Sequence, residues 1–90
     1  MWPFSTFAEA IARANASAYG LAGYVFTENA GVADAAARAL DVGSVGINEL
    51  RGVPPDVGIA GIKDSGNGYE GGQVGIEAFL NLKAVRGHVS

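Results

Sequence analysis

Apolar positions change rhythm along this chain, and each change marks an element. Phe7, Ile11 and Ala14 recur at i, i+4 and i+7, which places them on one face of a helix over about 7–16. Thr6 precedes that run and Glu9 lies three residues on. The Thr6 hydroxyl can therefore accept from the Glu9 amide while the Glu9 carboxylate reaches back to the Thr6 amide, a capping box. The helix is expected to end through Asn15 to Gly20, with Gly20 free to turn. Residues 21–27 are then short and rich in Tyr, Val and Phe, which predicts a buried strand. Asn29 is placed to cap a second helix whose Val32, Ala36, Ala39 and Leu40 share one face, and Gly43 is expected to supply a left-handed stop. The many alanines make that helix thin enough to lie close on a sheet. A second strand is expected at 44–48. Strand, helix, strand at this spacing is a βαβ unit with parallel strands and a right-handed crossover.

Past that unit the pattern loosens. Residues 49–58 carry Gly52, Pro54 and Pro55, and read as an irregular loop at the carboxyl end of a strand, the usual ligand edge of an open α/β sheet. Residues 60–72 are too rich in glycine for an element interior, since each glycine there costs about 0.5–1 kcal/mol relative to Ala. They suit a loop with positive φ angles. Gly66, Gly68 and Gly71 satisfy G-x-G-x-x-G, a phosphate-cradling pattern when it follows a strand, opens a helix and meets an acid about 20 residues on. Here it follows Lys63-Asp64-Ser65, expected to be loop. Glu77 lies too near, and nothing acidic follows it. The stretch reads as a connector into a helix at 70–80, marked by Ile76, Phe79 and Leu80. Residues 82–89 are expected to extend as a final strand, with Lys83 and Arg86 discouraging unwanted edge pairing.

Ninety residues make one small domain or part of a larger one. Hydrophobic residues make up 49% of the chain and charged residues 17%, which argues against disorder. That apolar content is high for so short a chain, so part of it is expected to meet another chain or a further domain. A net charge of −3 gives no basic footprint for nucleic acid. No apolar run approaches a membrane span, and Met1-Trp-Pro-Phe4 lacks the form of a signal peptide, so a cytoplasmic location is expected.

The absence of cysteine removes disulfides, thiolate metal sites and a thiol nucleophile from this chain. His88, the one histidine, sits two residues from the end and is expected to be solvated. Ser90 is terminal and the other serines occupy caps or turns, so no Ser-His-Asp set assembles. Glu9 and Glu70 are expected at helix starts, where the macrodipole accounts for them. No acid pair is placed to share a proton, and no cluster has metal-ligand spacing.

Ala60-Gly-Ile-Lys-Asp-Ser-Gly-Asn-Gly-Tyr-Glu-Gly-Gly72 resembles the GG-x-K-x-SG-x-GRE segment near the C-terminus of NAD(P)-dependent aldehyde dehydrogenases. Glu9-Ala-Ile-Ala-Arg-Ala-Asn15, Tyr19-Gly-Leu-Ala-Gly-Tyr-Val-Phe-Thr27, Ala39-Leu40 and Gly43-Ser-Val-Gly-Ile-Asn48 are similar to consecutive segments of that family, in the same order and without an obvious gap. Within the family the likeness points to the succinate-semialdehyde dehydrogenase-like branch. The resemblance implies the last fifth or so of a family member: residues 1–81 as part of the catalytic domain and 82–90 as an oligomerisation-type strand that makes a homo-oligomer. It implies that the catalytic cysteine, the glutamate base, the oxyanion-stabilising asparagine and the dinucleotide domain lie outside this region. The chain would then hold no catalytic, cofactor-binding or metal residues of its own, NAD or NADP belonging to the parent enzyme.

By the same resemblance, the loop 49–60 is a wall of the aldehyde entrance, and Val53 and Ile59 stand where family members often carry aromatic side chains. The family's P-F-G-G is Gly58-Ile-Ala-Gly61 here, so an aromatic wall and one glycine are lost. The Arg of the G-R-E segment is Tyr69, and an acid often found near the final strand is Asn81. The expected function is that of a C-terminal piece of an aldehyde dehydrogenase, inactive alone. The alternative is a non-catalytic module that binds itself or a longer homologue.

Overall fold

The computed structural model describes residues 1–90. Helix α1 (Phe7–Asn15) starts where expected: the Thr6 hydroxyl accepts from the Glu9 amide at 3.1 Å. The return bond of the capping box differs. Glu9 Oε2 accepts from the Ser5 amide at 2.9 Å instead of the Thr6 amide, because the carboxylate also turns toward Arg13, 2.9 Å away. Helix α2 (Ala30–Ala39) is capped by Asn29, whose side chain accepts from Val32 N–H at 3.0 Å.

Strands β2 (Ala22–Val25) and β3 (Ser44–Ile47) flank α2 and pair in parallel, with Ala22 opposite Ser44 and Val25 opposite Ile47. The expected βαβ unit is present. A second pairing has no periodicity to announce it: β1 (Tyr19–Gly20) and β4 (Ile62–Lys63) run antiparallel, Tyr19 opposite Lys63. Lys63 is therefore strand and not loop. Gly20 is buried in β1 and does not turn; a Cβ there would stand 2.6 Å from Ile62 Cγ1.

Gly43 also serves differently from expectation. Its φ is not positive, and α2 ends at Leu40 in extended backbone. A Cβ on Gly43 would fall 1.5 Å from the Ala60 carbonyl oxygen, so the glycine lets the returning chain cross the start of β3. The last helix, α3 (Gly72–Glu77), is shorter than the expected 70–80. Gly71 and Gly72 have φ of 70° and 57°, which leaves Glu70 outside the helix, bridged to Ile59. After Glu77, the amides of Phe79 and Leu80 bond to Ile76 and Glu77 in tighter i−3 turns.

Residues 81–90 are exposed and carry neither helix nor strand. The strand expected at 82–89 has no ladder within this chain, since no backbone group beyond Leu80 bonds to another part of it. Apolar burial is equally incomplete elsewhere. Only 3 of 90 residues are buried, Ala36 being the one hydrophobic side chain among them. The accessible surface is 7479 Å², against about 4,900 Å² for a compact monomer of the same mass. The radius of gyration is 18.1 Å, where a compact chain of this length would give about 12 Å. Elements form and pair, but no closed core forms around them.

Candidate functional site

At the carboxyl end of β3 the chain leaves the sheet through Asn48, which takes a left-handed φ of 55°. Its side chain closes the ends of both parallel strands. Oδ1 accepts from Thr27 N–H at 2.8 Å, and Nδ2 donates to the Thr27 carbonyl at 2.9 Å. Asparagine can adopt this backbone more readily than a branched residue, and its amide supplies both a donor and an acceptor, as one further strand residue would. The following loop is aimed by this clamp. It turns at 54–57, where Val57 N–H bonds to the Pro54 carbonyl, and returns to the body at Ile59.

Between that loop and the sheet lies an open cleft of about 230 Å³. Val53 and Ile59, both half-buried, line it together with Leu21 and Tyr24. Arg51 and Glu49 also line it, and neither is in an ion pair. The structure thus brings Val53 and Ile59 to one wall. The cleft holds no thiol and no histidine; its charged lining residues are Glu49 and Arg51.

Three polar side chains fix the frame behind this wall, and only their positions in the fold reveal it. Asn15 Nδ2 donates to the Ala39 carbonyl at 2.8 Å and its Oδ1 accepts from Asp41 N–H at 2.9 Å, joining the C-terminal ends of α1 and α2. Ser65 Oγ accepts from Gly20 N–H at 2.9 Å, across β1. Lys63, left-handed at φ 54°, donates from Nζ to the carbonyls of Asn15 at 3.1 Å and Ser17 at 3.4 Å. A cation on the last carbonyls of α1 also complements the helix dipole. Asn15, Ser65 and Lys63 were legible in sequence only as a helix end and loop residues.

The glycines of the G-x-G-x-x-G pattern fall into two structural settings. Gly66 and Gly68 have φ of 111° and 95°, and a Cβ on either would meet nothing within 4 Å. Their positive φ angles, not close neighbours, are what require glycine there. Gly71 instead lies against the 55–58 loop, a Cβ there falling 2.6 Å from the Val57 carbonyl oxygen. The helix that follows has six residues and no side-chain cap. His88 is exposed in the terminal segment.

A larger concavity, about 480 Å³, lies between α1, α2 and β2, and 11 of its 12 lining residues are hydrophobic. Phe7 and Ile11 from α1, Val32 and Leu40 from α2, and Phe26 after β2 contribute to it. The helical faces expected from periodicity therefore converge here, yet Phe26 remains 64% exposed and Phe7 42%. No helix of the chain is long and apolar enough to cross a membrane.

The sequence profile described as the Aldehyde dehydrogenase family matches residues 1–85. The chain is 46% identical over 81 residues to a 4-(hydroxymethyl)benzenesulfonate dehydrogenase of Comamonas testosteroni, covering 90% of this chain and 17% of that protein. Among solved structures it is similar to a betaine aldehyde dehydrogenase of Staphylococcus aureus in complex with NAD+, with 42% identity and a TM-score of 0.83 over 87% of this chain and 16% of that one. It is likewise similar to the indole-3-acetaldehyde dehydrogenase of P. syringae bound to NAD+ and IAA, with 40% identity and a TM-score of 0.83 over 89% of this chain and 16% of that one. The chain thus spans about a sixth of the length of the proteins it matches. Sequence and fold agree over nearly all of these residues: the chain belongs to the aldehyde dehydrogenase family.

Proposed function

We propose that this chain supplies the C-terminal part of an aldehyde dehydrogenase, residues 1–81 contributing to the catalytic domain and 82–90 to association, with no turnover of its own. The observation that carries this is the joint placement of Val53 and Ile59 on one cleft beside the open end of a parallel sheet, in a chain without cysteine. Oxidation of an aldehyde through a covalent intermediate requires a nucleophile to attack the carbonyl and a base to activate the hydrolytic water. A thiol nucleophile is missing here by composition. Nicotinamide cofactor, NAD or NADP, belongs in this reading to the parts of the enzyme outside these residues.

What this chain contributes is the wall. Small aliphatic residues at 53 and 59 widen the cleft for an extended aldehyde, and Arg51 offers a cation to an anionic far end. This favours succinate semialdehyde as substrate of the whole enzyme, acting in the cytoplasm. Homo-oligomerisation through 82–89 completes the reading, since that segment has no partner in its own chain.

The test is a segment exchange. The 42% identical region of the S. aureus betaine aldehyde dehydrogenase is replaced by this chain, and turnover is measured with aldehydes of different charge. An active chimera with selectivity shifted toward anionic aldehydes, and shifted back by Arg51→Gln, is the expected result. The isolated chain should bind no NAD in calorimetric titration and reduce none with succinate semialdehyde. Turnover by the isolated chain above a rigorously purified blank contradicts the proposal, as does a folded, active chimera whose selectivity is unchanged.

A further inference from the structure

We propose that Asn67 is a site of spontaneous deamidation, where the Gly68 amide nitrogen attacks the Asn67 side chain and converts it to aspartate and isoaspartate.

The reactive pair arises from the turn itself. Gly68 has φ of 95°, a backbone that residues with a side chain rarely adopt, so conformation holds the residue after Asn67 to glycine. That glycine has no Cβ to shield its nitrogen, and a Cβ built there would meet nothing within 4 Å. The approach is therefore not crowded from elsewhere in the chain. Gly68 N–H bonds to no acceptor, and neither end of the Asn67 carboxamide is in a hydrogen bond. Nucleophile and electrophile are adjacent, and nothing ties either of them.

The Gly68 nitrogen gives up its proton to solvent base and bonds to Cγ of Asn67. The Cγ–Nδ2 bond breaks, and Nδ2 takes a proton from solvent and leaves as ammonia. The succinimide that remains takes up one water. Opening at Cγ gives aspartate, while opening at the main-chain carbonyl gives isoaspartate, with the chain rerouted through the side chain. Ammonia is lost, water is gained, and the net charge goes from −3 to −4.

The other four asparagines are placed differently. Asn15 and Asn48 have both ends of the carboxamide bonded, and Asn29 Oδ1 accepts from Val32 N–H. The amide that would attack Asn15, that of Ala16, is itself bonded to the Ala12 and Arg13 carbonyls. Asn81 is exposed like Asn67 but precedes Leu82, whose bulky side chain hinders attack. It is the internal control. The turn also has room for the product. Its flanks are fixed where Ser65 meets Gly20 and where Glu70 exchanges amide bonds with Ile59. Between them, the open space around Gly66 and Gly68 takes up the extra main-chain atom of isoaspartate.

Peptide mapping by mass spectrometry tests this, each asparagine of the full chain being timed in mildly alkaline buffer with and without urea. Asn67 is expected to convert in the folded chain within a few-fold of its rate in urea, and well ahead of the other four. The rate should rise with pH, because the attacking nitrogen must lose its proton. The product should accept methyl groups from an isoaspartyl methyltransferase. Gly68→Ala should slow conversion by roughly an order of magnitude; it is read in urea, where the fold plays no part. Asn67 strongly protected in the folded chain relative to urea overturns the proposal. So does conversion no faster than that of Asn81, or a rate that Gly68→Ala leaves unchanged.

Discussion

Between Thr6 and Asn48, the ends of elements are tied by side chains from the same stretch, whereas after Leu80 no backbone group bonds to anything else in the chain. Asn15 joins the ends of two helices, and Asn48 joins the ends of two strands. The C-terminal half is tied to the first through β1–β4, Lys63 and Ser65, and beyond Ser65 it is held at fewer points. Ile59 and Glu70 exchange both amide bonds, and Gly72 N–H reaches the Pro55 carbonyl at 2.9 Å. Both halves leave apolar side chains exposed, so burial does not separate them. The difference teaches that local order here follows from polar groups finding partners within the chain, while hydrophobic closure is left to surfaces outside it.

The comparison breaks most readily at the point where the two halves touch. Gly43→Ala puts a methyl group on the Ala60 carbonyl and forces β3 and the returning chain apart. A loss on the order of 3 kcal/mol is expected for such backbone overpacking, enough to abolish the cooperative thermal transition in circular dichroism. Asn48→Ala comes next. It removes both Thr27 bonds and leaves a left-handed alanine, together about 2 kcal/mol; Asn48→Gly should recover only the backbone part. Asn15→Ala should cost about 1–1.5 kcal/mol through the lost helix–helix bonds, and Thr6→Ala about 1 kcal/mol as a lost cap, each read from denaturant midpoints. Leu82→Asp should leave the transition of the dilute monomer unmoved, because Leu82 touches nothing in its own chain. A measurable shift there would erase the distinction between the halves.

The ordered half was the legible one. Caps at Thr6 and Asn29, and the Tyr-Val-Phe run, signal their elements within a few residues, so periodicity finds them. Ala36 was readable as a packing position because its face recurs at i+4. The β1–β4 pair was not: two residues on each side carry no period, and Tyr19 meets Lys63 only after the chain has returned across Gly43. Its position after the second helix marked Gly43 as a left-handed stop, since a close backbone crossing is invisible from one strand alone. For the cleft, Val53 and Ile59 came from likeness to a family; the clamps of Asn15, Asn48, Ser65 and Lys63 depend on contacts between distant segments, and residue type alone does not specify them.

Hydrogen exchange measured at low and high chain concentration tests the central claim most directly. The β2–β3 ladder, Ala22–Val25 against Ser44–Ile47, should be protected at both concentrations, since its bonds close within one chain. Amides of residues 81–89 should exchange at the free rate when dilute and slow only when the chain is concentrated. Protection of 81–89 in the dilute monomer, or a ladder that exchanges as fast as that segment, would contradict the account.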